Sequence, residues 1–252
     1  MLTNRLLIAA MFTGLSLSAF AQTQTQERQL RSDEKIQTQV AAELAKKSGF
    51  QAVQTEVDDG IVTLTGNVDL YIDKLNAEKR VRKLKEVDGV RNHIVVEGLP
   101  VSDNDLREKL ASKLRYDRIG YGIVFNSLNL SVDQGTVTVS GNVRDYPDRD
   151  SAIAIVQTTA GVKDVIDEVE VAPLSGLDDG LRLRLAHAIY GHSSLQKYAL
   201  DPQAPIRIVV ENGHVYLAGV VLNDADKQIA YMQAQTVPGV FSVTNRLMVA
   251  NN

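Results

Sequence analysis

His192, Ser193 and Ser194 stand side by side, and an imidazole next to hydroxyls is the raw material of a base-activated nucleophile. Adjacent residues seldom reach triad geometry, so this run reads as the loop after an apolar helix. Acidic pairs offer a second chemistry: Asp58-Asp59, Asp148 with Asp150, and Asp178-Asp179 could present oxygens to a hard cation. They fall where hairpin turns and helix N-termini are expected. There a carboxylate accepts from free backbone N–H groups, and the structural reading is preferred. Cysteine is absent, which removes disulfides, thiolate metal sites and a thiol nucleophile. The four histidines, His93, His187, His192 and His214, are too scattered for a metal cage. The glycines sit in hairpins rather than in strand-to-helix turns, so no phosphate-cradling loop is expected. These residues point to a protein that is not an enzyme and needs no cofactor.

Charge is the remaining chemistry. Lys+Arg 27 against Asp+Glu 31 gives −4, which supplies no overall field for nucleic acid, and no nucleic-acid partner is expected. Local clusters say more. Lys79, Arg80, Arg82, Lys83 and Lys85 crowd one predicted helix. At about 100° per residue, Ala77, Val81 and Leu84 share its core face, while Lys79, Arg82 and Lys83 fall opposite with Ile72 and Leu75. Cations beside apolar residues suit an interfacial helix drawn to anionic headgroups. The competing reading is a solvated helix whose long side chains cover apolar neighbours. A second candidate surface is the loop from Arg115 to Phe125, in which Arg115, Arg118, Ile119, Tyr121 and Phe125 mix cations with aromatic and branched side chains. It could dip into a headgroup layer, grip a partner, or cap the next domain.

What positions these residues is an internal repeat. Turn glycines recur at Gly60, Gly135 and Gly213, each followed six residues later by another: Gly66, Gly141 and Gly219. Twenty residues beyond come Glu86-Val87, Gly161-Val162 and Gly239-Val240. An alternating run then closes each copy: Val90, Asn92, Ile94, Val96; Val165, Asp167, Val169, Val171; Val243, Asn245, Leu247, Val249. Ahead of each hairpin lies an apolar stripe at i, i+4, i+8: Ile36, Val40, Leu44; Leu106, Leu110, Leu114; Leu181, Leu185, Ile189. Asp59-Gly60, Gln134-Gly135 and Asn212-Gly213 supply the positive φ of a tight hairpin. The order is therefore α-β-β-α-β in each copy. The fold class is α+β: three tandem small domains, each a mixed three-stranded sheet covered by two helices, with the last strand parallel to the second.

Ahead of the repeats, Arg5, the apolar run Leu6 to Leu17 and Ala19-Phe20-Ala21 resemble a cleavable secretory signal. No cysteine follows it, so a lipoprotein is not expected. The expected organisation is a signal peptide at 1–21, a flexible tail at 22–32, and domains at 33–98, 103–172 and 177–252, with periplasmic localisation.

The hairpin V-x-x-G-x-V-x-L-x-G-x-V, the twenty-residue step and the closing G-V-x-x-V-x-N-x-L-x-V resemble the BON (bacterial OsmY and nodulation) domain. Glu86 departs from its glycine in the first copy, and the loop after the first helix grows by five residues in copy two and by eight in copy three. Three such copies behind a signal peptide resemble the osmotically inducible periplasmic members of that family, with one extra copy. The resemblance implies a role in osmotic or envelope stress, contacting anionic phospholipid membrane surfaces or envelope proteins. Two further readings follow from it: a chaperone or scaffold for exposed apolar segments, and an ion-responsive sensor.

Overall fold

Asp59 and Gly60 both have positive φ (50° and 74°), as do Gln134 and Gly135 (49° and 82°) and Asn212 and Gly213 (50° and 78°). Two consecutive left-handed residues match the twist of a two-residue hairpin, so each pair closes an antiparallel ladder. The computed structural model describes residues 26, 28–30, 32–116, 124–173, 175–200 and 206–250. They group into two compact units, 1–97 and 98–252.

In the first unit a helix over 32–45 (α1) is followed by strands β1 (Val53–Asp58) and β2 (Ile61–Val68), helix α2 (Tyr71–Val81), and strands β3 (Gly89–Asn92) and β4 (Val95–Val96). Gln26 and residues 28–30, within the segment expected as a flexible tail, are also helical. Gln, Arg and Leu are good helix formers. β2 pairs antiparallel with β1 and parallel with β3 and β4. The expected stripe is the core: Ile36, Val40 and Leu44 are buried with Val62, Leu64, Ala77, Val81 and Ile94. Val62 and Leu64 point inward while Ile61 and Thr63 are half-buried, the period of two that a sheet covered on one face requires.

The second unit holds two repeats. Helix α3 (Asp103–Tyr116), strands β5 (Ser127–Asp133) and β6 (Thr136–Val143), helix α4 (Tyr146–Gln157) and strand β7 (Asp164–Val171) form the first of them. The other has helices α5 (Gly176–Tyr190) and α6 (Gln196–Leu200), strands β8 (Arg207–Glu211), β9 (His214–Ala218) and β10 (Val220–Val221), helix α7 (Asp224–Gln235), and strands β11 (Ser242–Asn245) and β12 (Met248–Val249). The sheets run β5-β6-β7 and β11-β9-β8, with the closing strand parallel to the hairpin's second strand in both. The α+β class and the repeated α-β-β-α-β order hold. The eight-residue insertion of copy three carries the added turn α6.

Two polar clamps recur in every copy and a third in copies one and three; Asp148 and Asp178 were expected at turns and helix N-termini, but not these partners. The carboxylates of Asp33, Asp103 and Asp178 each accept from both backbone N–H groups of the hairpin turn; Asp178, for example, takes Asn212 N at 2.8 Å and Gly213 N at 3.0 Å. The clamp residue precedes its turn glycine by 27, 32 and 35 residues, so the longer loops are absorbed without disturbing it. A second aspartate, in the first turn of the second helix, anchors the segment after the first helix. Asp73 takes Lys47 Nζ at 2.5 Å, Asp148 takes Asn126 Nδ2 at 3.0 Å, and Asp226 takes the Tyr198 hydroxyl at 2.6 Å. The third clamp ties closing strand to second helix. Asn92 and Asn245 donate to the carbonyls of Lys74 and Lys227. Asp167 cannot donate there and takes the Arg149 guanidinium at 2.6 Å instead. A hydrogen bond to a charged group contributes roughly 1.5–3 kcal/mol, which matters in domains this small.

Candidate functional site

Several of the sequence's reactive candidates hold structural partners. His192 Nδ1 accepts from the Ser194 backbone N–H at 3.3 Å, which ties up the nitrogen facing the serines. Asp178 holds the hairpin turn, Asp148 holds Asn126, and Asp179 pairs with Arg182 at 2.6 Å. Among the described residues no three His, Asp or Glu side chains gather as a metal site.

The cationic cluster of the first unit differs from its expected geometry. α2 ends at Val81 with Arg82 as its C-cap, so Lys83 and Lys85 lie in the following turn and do not extend a helical stripe. Arg82 pairs with Glu78 at 2.5 Å and Arg80 with Glu43 at 3.0 Å. Lys79 and Lys83 stay exposed, whereas Ile72 and Leu75 are half-buried. The cations are available; the apolar face expected beside them is partly covered.

Of the loop expected between Arg115 and Phe125, Arg118, Ile119 and Tyr121 lie outside the described residues. Phe125 is corrected: it is 4% exposed and belongs to the core of the third repeat, with Leu185, Ile189, Ile206 and Ile208. A phenyl ring between two short domains is worth more buried than wet, and the neighbouring core supplies the cavity. Arg115 is half-buried and faces a cleft between the second and third repeats.

That cleft was invisible in the sequence. Edge strands β5 and β8 run close together, and the Arg207 guanidinium reaches across to the Asn126 carbonyl at 3.4 Å. On the α3 side lies a hollow of about 400 Å³ containing Arg107, Arg115, Arg207 and Glu108 over Leu114, Leu128 and Leu130. Burial, and then the Arg115 charge, push the Arg207 pKa below its ordinary value. A second groove of about 650 Å³ continues past Leu128 and Arg207 to Tyr216, Arg246, Val220 and Met248. Arg246 lies over the Tyr216 ring, 5.3 Å from its centroid.

The rim of this groove shows how the copies diverge. In copies one and two, Asn67 and Asn142 donate to Glu97 and Glu170 at 3.1 Å. The position matching those asparagines in copy three is Val220, which pairs across parallel strands with Met248. Val220 is 37% and Met248 63% exposed, and Leu222 beside them is 59% exposed. A polar bridge has been replaced by an open apolar edge.

Behind that edge lies the third-repeat clamp. Burial works to raise the Asp226 pKa, but hydrogen bonds from Lys197 and Tyr198, with the Lys197 charge, outweigh it and hold the carboxyl below its ordinary value. A carboxyl lowered on folding stabilises fully above the unfolded value of about 4 and loses that contribution as pH falls through the folded value. Urea midpoints measured at pH 7 and pH 3 should therefore drop with acid, and the drop should be smaller in Asp226→Asn.

Several known proteins resemble this chain. An uncharacterized protein of the gshII 5′ region of Anaplasma centrale is 27% identical over 143 residues, 55% of this chain and 94% of that one. Among solved structures, the C-terminal domain of CdsD, a structural protein of the type III secretion system of Chlamydia trachomatis, is 18% identical. That match covers 84% of this chain and 96% of that chain with a TM-score of 0.25. The periplasmic domain of the type III secretion inner membrane protein PrgH from S. typhimurium is 10% identical, covering 84% and 100%, with a TM-score of 0.17. The BON domain family matches three segments, 32–98, 102–173 and 192–251, each holding one of the three hairpins, with the third match beginning after α5. The chain belongs to the BON domain family.

Proposed function

We propose that this chain is a non-enzymatic binding protein of the cell envelope, exported to the periplasm, which holds to phospholipid surfaces during osmotic or envelope stress. The observation that carries this reading is the apolar edge of copy three, Val220 with Met248, open to solvent where the other copies close the same position with a polar bridge. Arg246 near that edge and the exposed Lys79 and Lys83 of the first unit supply charge for anionic headgroups. Single contacts of this kind are weak, and three tethered domains multiply them through effective concentration. The terminal segment Arg5 to Ala21 supports export.

Flotation of the mature chain with phosphatidylglycerol-containing and neutral vesicles tests the reading. Burying one apolar side chain is worth about 1.5–3 kcal/mol, so Met248→Asp should weaken vesicle binding by roughly tenfold or more without unfolding the chain. Failure of the native chain to float with either vesicle at low salt overturns the lipid reading. Suppression of client aggregation that Met248→Asp abolishes, without flotation, would assign the same edge to exposed apolar protein segments.

A further inference from the structure

We propose that the cleft between α3, β5 and β8 is a binding site for a phosphoryl group, held by the guanidiniums of Arg107, Arg115 and Arg207. The hollow adjoins the groove that runs to the Val220–Met248 edge and shares Leu128, Asn129 and Arg207 with it, but Arg107 and Arg115 line the hollow alone, and binding there does not require a membrane.

The argument begins with geometry. Three arginines from two repeats line one hollow of about 400 Å³, with Glu108 as the one carboxylate among the described residues that line it. Each guanidinium offers donors in a rigid fork and accepts nothing, so three forks cannot satisfy one another. Among the described residues neither Arg107 nor Arg207 has an ion-pair partner. Arg207 donates one N–H to the Asn126 carbonyl at 3.4 Å, which turns the guanidinium toward β5 and leaves its other donors for a ligand. The floor is apolar, formed by Ala111, Leu114, Leu128 and Leu130. An apolar floor strengthens charge interactions above it.

The chemistry of the ligand follows. A lone carboxylate has two oxygens and saturates one fork. A phosphoryl group presents its oxygens tetrahedrally and can engage several forks at once, each contact charge-assisted. A phosphate monoester carries close to two negative charges near neutral pH, which suits the Arg107 and Arg207 guanidiniums. The volume suits a phosphate on a small stem and excludes a folded partner. The depressed Arg207 pKa, caused by burial and then by Arg115, fits a site that relaxes when an anion enters.

The test uses the mature full chain at constant ionic strength. Inorganic phosphate and pyrophosphate, compared with chloride, should raise the melting midpoint of the 98–252 unit by a few degrees at millimolar concentration. Titration calorimetry should show Kd weakened roughly tenfold or more in Arg107→Gln, whose side chain is exposed, so that the fold is retained. Arg207→Lys should weaken binding similarly, because it keeps the charge and loses the fork. Vesicles containing phosphatidic acid identify the source. Loss of their binding in Arg107→Gln points to a lipid headgroup, and loss of pyrophosphate binding alone points to a soluble phosphoryl ligand. No phosphate-dependent stabilisation, or stabilisation undiminished in both variants, overturns the proposal. Met248→Asp should leave phosphate binding unchanged, which separates failure here from failure of the surface-binding reading.

Discussion

Phe125→Ala is expected to destabilise the 98–252 unit by about 3–5 kcal/mol, the loss typical of a fully buried phenyl ring that leaves a cavity. The effect should be felt away from the repeat that contributes the residue. Phe125 precedes β5 of the second repeat, yet it belongs to the buried cluster of the third repeat that holds Leu185, Ile189, Ile206, Ile208 and Leu217. Repeats of this size have marginal cores, and a shared ring makes each a condition for the other. Chemical denaturation followed separately in the two repeats, with probes on α4 and α7, should show one common transition in the native chain. In Phe125→Ala the transition should shift to lower denaturant, with the third repeat melting first. A change under 1 kcal/mol, or two already independent transitions in the native chain, would mean the ring is a surface contact after all.

Gly141→Ala should be nearly as costly, for a backbone reason. Gly141 lies at φ 106° in β6. A Cβ built there would stand 2.1 Å from the Ser127 carbonyl oxygen on β5. Backbone atoms cannot step aside as the end of a flexible side chain can, so the hairpin must open. Strain in this region of φ costs about 1–3 kcal/mol by itself, and the collision adds to it, so a loss of about 3 kcal/mol or more is expected. Gly176→Ala is the control. Gly176 begins α5 with nothing within 4 Å of a built Cβ, and alanine there should be neutral or stabilise by about 0.5 kcal/mol. Thermal melts of the two variants beside the native chain decide it. Equal midpoints would show that the β5–β6 approach tolerates a methyl group.

The repeated elements were legible because their signals are local. Alternation of Val137 and Val139, the stripe Leu181, Leu185, Ile189, and the left-handed pairs at Asp59-Gly60 and Asn212-Gly213 are decided within a few residues. The parallel closing strand could be inferred because twenty residues of connection leave room for a crossover helix. The end of α2 was misjudged because a run of lysines and arginines has good helix propensity and no breaker, while the chain must turn after Val81 to bring Gly89 beside Ile61. Of the Asp33, Asp103 and Asp178 clamps only Asp178 was read as a carboxylate accepting from free N–H groups, and the threefold recurrence went unread. Each stands at the head of a first helix, displaced from its glycine by the same five and eight residues as the loops.

The composition and the threefold spacing were enough to establish the α-β-β-α-β module, its core faces and its turns, since these depend on side-chain periodicity and on φ at single positions. The juxtaposition of Arg107, Arg115 and Arg207, the burial of Phe125 in a neighbouring core, and the open Val220–Met248 edge were decided only in three dimensions. Residues nearly a hundred positions apart meet there because two marginal cores gain by sharing a boundary, and no local pattern encodes which edge strands come together.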